Sequence, residues 1–122
     1  MIFRNKKHSK FPNVTLLSLV YCLEYAVITG PTHFHFINRD SYRSRVDGAI
    51  GEKTVIFDLR KLVYIDCSAI MTLQELHHQY NKEKTRFYIL TESNLLKEKL
   101  NAYEDKKVTV HTQLSSIIEN AL

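Results

Sequence analysis

Between residues 54 and 81 the hydrophobic pattern changes period. Thr54-Val55-Ile56-Phe57-Asp58-Leu59 is a mostly apolar, β-branched run that predicts a buried strand, and Val63-Tyr64-Ile65 predicts a shorter one. From Asp66 onward the spacing becomes helical: Ala69, Ile70, Leu73, Leu76, His77 and Tyr80 recur at three- and four-residue steps and share one face. Asp66, Cys67 and Ser68 sit where that helix needs a cap, because its first backbone N–H groups have no internal partners. This strand–loop–helix junction is the candidate site of action.

The flanking segments follow the same logic. Residues 14–29 are rich in Val, Leu, Ile, Tyr and Thr and predict one strand, or two with a bend near Val20 to Cys22. Gly30-Pro31 breaks that run, and Thr32-His33-Phe34-His35-Phe36 alternates as an extended edge. Asn38 or Asp40 can cap a helix to about Ala49 with Tyr42, Val46 and Ala49 inward; Gly48 and Gly51 mark its end, where a left-handed cap is common. A strand over residues 86–91 precedes a helix capped by Ser93, with Leu96, Leu100 and Tyr103 inward. Lys107 to His111 predicts a short strand, and Thr112 opens a last helix with Leu114, Ile117, Ile118 and Ala121 inward. Alternating strands and helices imply parallel neighbours joined by helical crossovers, while the strand-rich first third adds antiparallel or edge pairing. The expected fold is α/β, a mixed and mostly parallel sheet of four to six strands with about four helices.

Asp66-Cys67-Ser68-Ala69-Ile70, at the end of a buried strand and the start of a helix, resembles the signature of the STAS domain family. That family comprises the cytoplasmic domains of SulP anion transporters and the bacterial anti-sigma-factor antagonists. Its usual form is Asp-Ser-Ser/Thr-Gly-Leu. The resemblance covers residues 14–122, leaves 1–13 as a tail or linker, and implies helices mainly on one face of the sheet. Ile28-Thr29-Gly30-Pro31, Phe34, Phe36 and Asn38-Arg39-Asp40-Ser41-Tyr42 are similar to the SulP branch's Gly-Pro-Leu-aromatic-Phe-x-Asn-Ala-x-x-Phe run. Gly30 and Asn38 stand two residues further apart than usual, and His33 and His35 are not expected there.

Composition narrows the function. With 122 residues, 44% hydrophobic and 25% charged, the chain is one ordinary globular domain. The excess charge of +4 lies in Arg4, Lys6, Lys7 and Lys10; without these four, 13 basic residues face 13 acidic ones. A nucleic-acid interface would need that charge on the folded body, so none is expected. The tail reads as a solvated end, or as a contact for anionic lipid headgroups near a membrane. Residues 14–28 contain Glu24 and are too short for a membrane span, and a cytoplasmic location follows from the resemblance. The two cysteines, Cys22 and Cys67, form no disulfide framework.

In the antagonist branch the residue after the signature Asp is the serine that a kinase phosphorylates; here it is Cys67, which leaves the adjacent Ser68 as the alternative acceptor. Cys67 itself reads as a small buried residue rather than a redox sensor, since Asp66 beside it disfavours the thiolate. Asp66 reads as a helix cap. His33 and His35 read as solvent-facing, with no third ligand at metal-binding spacing, and no Gly-rich phosphate loop or catalytic triad order occurs. No cofactor, metal or enzymatic activity is expected. The resemblance implies a regulatory domain of a SulP-type sulfate or anion transporter that docks through Asp66, Cys67, Ser68, Ala69 and Ile70 and an exposed helix face of Met71, Gln74, Glu75 and His78. Its partner would be the transporter's membrane domain or a cytosolic regulator. The rivals are a stand-alone anti-sigma antagonist or stress-signalling scaffold phosphorylated at Ser68, and a module that binds a nucleotide or anion at the helix start.

Overall fold

A computed structural model describes residues 25–51, 54–82, 84–102 and 108–121. The basic tail, the strands expected before Tyr25, Cys22 and Tyr103 lie outside the described residues. Six strands and four helices follow in the order β1 (Tyr25–Thr29), β2 (His33–Phe34), α1 (Arg39–Ile50), β3 (Thr54–Asp58), β4 (Tyr64–Ile65), α2 (Cys67–Tyr80), β5 (Phe87–Leu90), α3 (Asn94–Leu100), β6 (Val110–His111) and α4 (Leu114–Ala121).

Four of the strands form one parallel sheet in the order β1-β3-β5-β6, and β2 and β4 form a separate parallel pair. Every pairing among the described residues is parallel; of the strand-rich first third, β1 pairs with β3 and β2 with β4 in parallel rather than antiparallel, and residues before Tyr25 lie outside the described residues. The strand order runs in one direction, so right-handed crossovers place α1, α2 and α3 on one face. Their buried Val46, Ile50, Ala69, Leu73, Leu76, Leu96 and Leu100 meet Val55, Phe57, Phe87 and Ile89 there. The opposite face carries Ile56, Tyr88 and Leu90 against Ile117 of α4. Burial on both faces explains why β3 and β5 read as continuous apolar runs rather than alternating ones.

The helix ends are closed by side chains. Ser93 Oγ accepts the Leu96 amide at 3.1 Å, as its capping position predicts. Asn81, after α2, accepts the amides of Arg86 and Phe87 and donates to the Phe87 carbonyl at 2.9 Å. Asn101, after α3, does the same for Val108, accepting its amide and donating to its carbonyl. Each asparagine thus ties a helix end to the start of the next strand segment. At the end of α1, Gly51 does not adopt the left-handed cap expected of it. The Arg86 guanidinium serves instead, donating to the carbonyls of Ile50 and Gly51. Ile117 and Ile118 of α4 are buried as expected, Leu114, expected inward, is exposed, and the Ala121 side chain lies outside what is described.

Gly30 is needed for close approach. Its amide donates to the Asp58 carbonyl at 2.8 Å, and a Cβ built on it would lie 2.9 Å from that oxygen and 2.5 Å from Leu59 Cδ2. A side-chain end can shift, but the backbone oxygen is held in the sheet. Gly30→Ala should therefore destabilise the domain by about 1–3 kcal/mol in denaturant unfolding; an unchanged midpoint would show that the β1 exit relaxes freely.

Candidate functional site

The β2–β4 pair brings two distant loops together. His33 and Phe34 pair with Tyr64 and Ile65, and the Asp66 amide continues the ladder by donating to the Phe34 carbonyl at 3.1 Å. The turn after β2 thereby comes to lie beside the start of α2. Phe34 fixes the base of this corner: it is fully buried, edge-on to both Tyr42 and Phe57 at 5.7 Å between ring centroids.

Asp66 joins the two loops. Its Oδ1 accepts the Ala69 amide at 2.9 Å, the N-cap bond expected from sequence, and the Ser68 hydroxyl at 2.8 Å. Its Oδ2 accepts the Phe36 amide at 2.9 Å from the other loop. Burial by itself would raise the carboxyl pKa, but the bonds from Ala69, Ser68 and Phe36, with His35 nearby, outweigh it and hold the group below the usual carboxylate value. An acceptor this occupied is a structural tie rather than a general base.

The turn at 35–38 is tied from within as well. Asn38 does not cap α1 through its side chain. Its Oδ1 accepts the His35 amide at 3.0 Å and its Nδ2 donates to the His33 carbonyl at 2.8 Å. The result projects two adjacent apolar side chains, Phe36 at 66% and Ile37 at 73% exposure. Val63 and Tyr64, on and just before β4, and Met71 on α2 are exposed too. Large apolar groups gathered in loops around one junction mark an interaction surface more often than scattered ones do.

Several residues named from sequence occupy other positions than expected. Cys67 is exposed rather than buried, since the first helical residue points away from the Ala69–Leu73–Leu76 face. Gln74 was expected on the outer face of α2, yet it is only 7% exposed. Its Nε2 donates to the Leu100 carbonyl at 2.9 Å, so it caps the end of α3, whose last carbonyls need donors. Ala69 is fully buried and Ile70 and Ser68 are half-buried, which leaves Cys67, Met71, Glu75 and His78 as the accessible members of the set. Glu75 is paired with Arg43 of α1 at 2.8 Å. His33 is exposed and His35 half-buried, and no group of three metal-ligating side chains occurs among the described residues. Ile37, Val63 and Tyr64 were not singled out as site residues; the available signal was an apolar pair, Phe36-Ile37, directly before a turn-forming asparagine.

A family model for the STAS domain matches residues 26–116, well over half of the chain. This chain belongs to the STAS domain family. Among solved structures, the murine Solute Carrier 26 family member A9 anion transporter, in its inward-facing state, is similar at a TM-score of 0.65 and 15% identity. The match covers 81% of this chain and 18% of the transporter, so the STAS domain described here corresponds to a small part of that protein. No curated protein matches by sequence. Within the STAS domain, the Asp66 corner stands between β4 and the mouth of α2; the strand before it is a two-residue member of the separate β2–β4 pair, not the buried strand that the resemblance implied.

Proposed function

We propose that this STAS domain is a non-catalytic regulatory module that docks onto another protein, and that the other protein is the membrane domain of a SulP-type anion transporter, with the STAS domain on the cytoplasmic side. The observation that carries this reading is the apolar rim around Asp66. Phe36 and Ile37 are exposed on a loop that Asp66 ties to the start of α2, and Val63, Tyr64 and Met71 are exposed before β4, on it and on α2. A rigid, partly apolar surface of this kind loses little conformational freedom on binding, which favours protein association. The structural likeness to the murine anion transporter supports the transporter as the partner class.

Two features weigh against the rivals. Ser68 is half-buried and its hydroxyl already donates to Asp66, so a kinase would have to break that bond and place phosphate beside a carboxylate. Strand order among the described residues does not reverse, so the crevice that commonly holds nucleotides in doubly wound sheets does not form there. A direct test mixes the 122-residue chain with a detergent-solubilised SulP membrane domain from the same genome, and separately with a kinase-like anti-sigma factor and ATP. Saturable binding to the first supports the transporter reading. Phosphate incorporated at Ser68 by the second, without binding to the first, replaces it with the antagonist reading.

A further inference from the structure

The tip that carries Phe36 and Ile37 has a titratable side chain inside it. His35 Nδ1 accepts the Ile37 amide at 3.2 Å. An imidazole nitrogen accepts a hydrogen bond only when it carries a lone pair, so this contact requires the neutral ring with its proton on Nε2. The backbone of His35 is pinned independently. Its amide donates to Asn38 Oδ1, and its carbonyl accepts the amides of Asn38 at 3.1 Å and Arg39 at 2.9 Å. The ring is therefore the part of this turn that a change of proton occupancy can move.

Charged and titratable groups stand around this ring. Among the described residues, Asp66 faces His35 from the start of α2 and interacts with it electrostatically. Arg39 and Asp40 stand at the first turn of α1, paired at 3.8 Å, and the exposed His33 lies on β2 with its ring against Tyr64. Once protonated, the ring presents a second N–H to the Ile37 N–H, which repel each other, while its new charge is drawn toward the Asp66 carboxylate that tethers Phe36.

We propose that His35 is a proton-operated catch on the Phe36–Ile37 tip, holding it when neutral and releasing it when protonated. Its consequence for binding rests on the docking reading above; the catch itself does not. The sign is fixed by the geometry. The ordered tip belongs to the neutral ring and is lost when the ring is protonated, because only the neutral ring can accept the Ile37 amide.

Amide NMR of the 122-residue chain, titrated from about pH 8 to pH 5, tests this. The Ile37 amide proton should move upfield, and its protection relative to intrinsic exchange should fall, along the same curve as the His35 ring signals. His35→Asn keeps an acceptor near the position of Nδ1 without titrating, and should flatten the Ile37 response; His33→Gln should leave it in place. An Ile37 amide that stays still while the His35 ring titrates, or that responds equally in His35→Asn, overturns the catch. Affinity for the membrane domain should fall roughly threefold to tenfold across the same range, the worth of one neutral hydrogen bond. If the amide follows His35 but affinity is flat, the catch stands and the docking reading fails.

Discussion

Phe57→Ala is expected to cost the domain about 3–5 kcal/mol, out of a total stability on the order of 5–15 kcal/mol. Phe57 is fully buried in the middle strand and its ring meets Phe34, Tyr42 and Phe87 at centroid distances of 5.7, 5.8 and 6.4 Å. Truncation removes the common partner of β2, α1 and β5, and the loss of area is compounded by a cavity that close-packed neighbours fill poorly. The position also reaches the candidate site, because Phe34 stands two residues before the exposed tip. Amides of residues 33–38 should therefore shift in Phe57→Ala. Ile56→Val, one residue away but on the α4 side of the sheet, should cost only about 0.5–1.5 kcal/mol and leave those amides in place. If the two variants unfold at the same denaturant concentration, the division of the core into a large helix-bearing side and a small one is wrong.

Ile37→Asp carries the largest expected effect on binding. Ile37 is 73% exposed, so its replacement should alter stability by no more than about 0.5 kcal/mol. A carboxylate at the centre of a desolvated apolar contact should weaken docking at least about thirtyfold, the scale of an interface hot spot of 2 kcal/mol or more. Leu95, exposed on α3 and outside the two loops that Asp66 joins, supplies the comparison: Leu95→Asp should leave affinity unchanged. Calorimetric titration of both variants against the membrane domain separates the two outcomes. Equal losses would mean that surface charge, not the corner, governs association.

Much of this architecture was legible because burial leaves a strong period in sequence. β3 and β5 announced themselves as apolar runs, and the face Ala69–Leu73–Leu76 of α2 followed from helical spacing. The caps at Asp66 and Ser93 were readable since short acceptors at helix starts have a local chemical cause. What could not be read were contacts set by tertiary geometry. Gln74 looked like a surface residue because its own helix gives no sign of the α3 carbonyl that it reaches 26 positions along the chain. The second bond of Asp66, to Phe36 thirty residues earlier, depends on the pairing of two strands of only two residues each, too short to show a period. Cys67 was misjudged for a related reason: as the first residue of a helix it escapes the side that composition alone would assign to a cysteine.

The candidate site was half visible. The signature located the corner, and with it the exposed Cys67 and Met71, but the apolar rim depends on turn geometry at 35–38 and on where β4 begins. Apolar residues in sequence suggest burial by default, so Val63 gave no warning that it faces outward, and Ile37 gave only its place before a turn-forming asparagine.

The most direct measurement is an amide NMR map of the free chain against the chain bound to the membrane domain. Docking through the Asp66 corner predicts that the largest perturbations fall on Phe36, Ile37, Val63, Tyr64, Cys67 and Met71, with α4 unaffected. Perturbations centred on α4 or α3, with those six residues unmoved in a saturated complex, would contradict it.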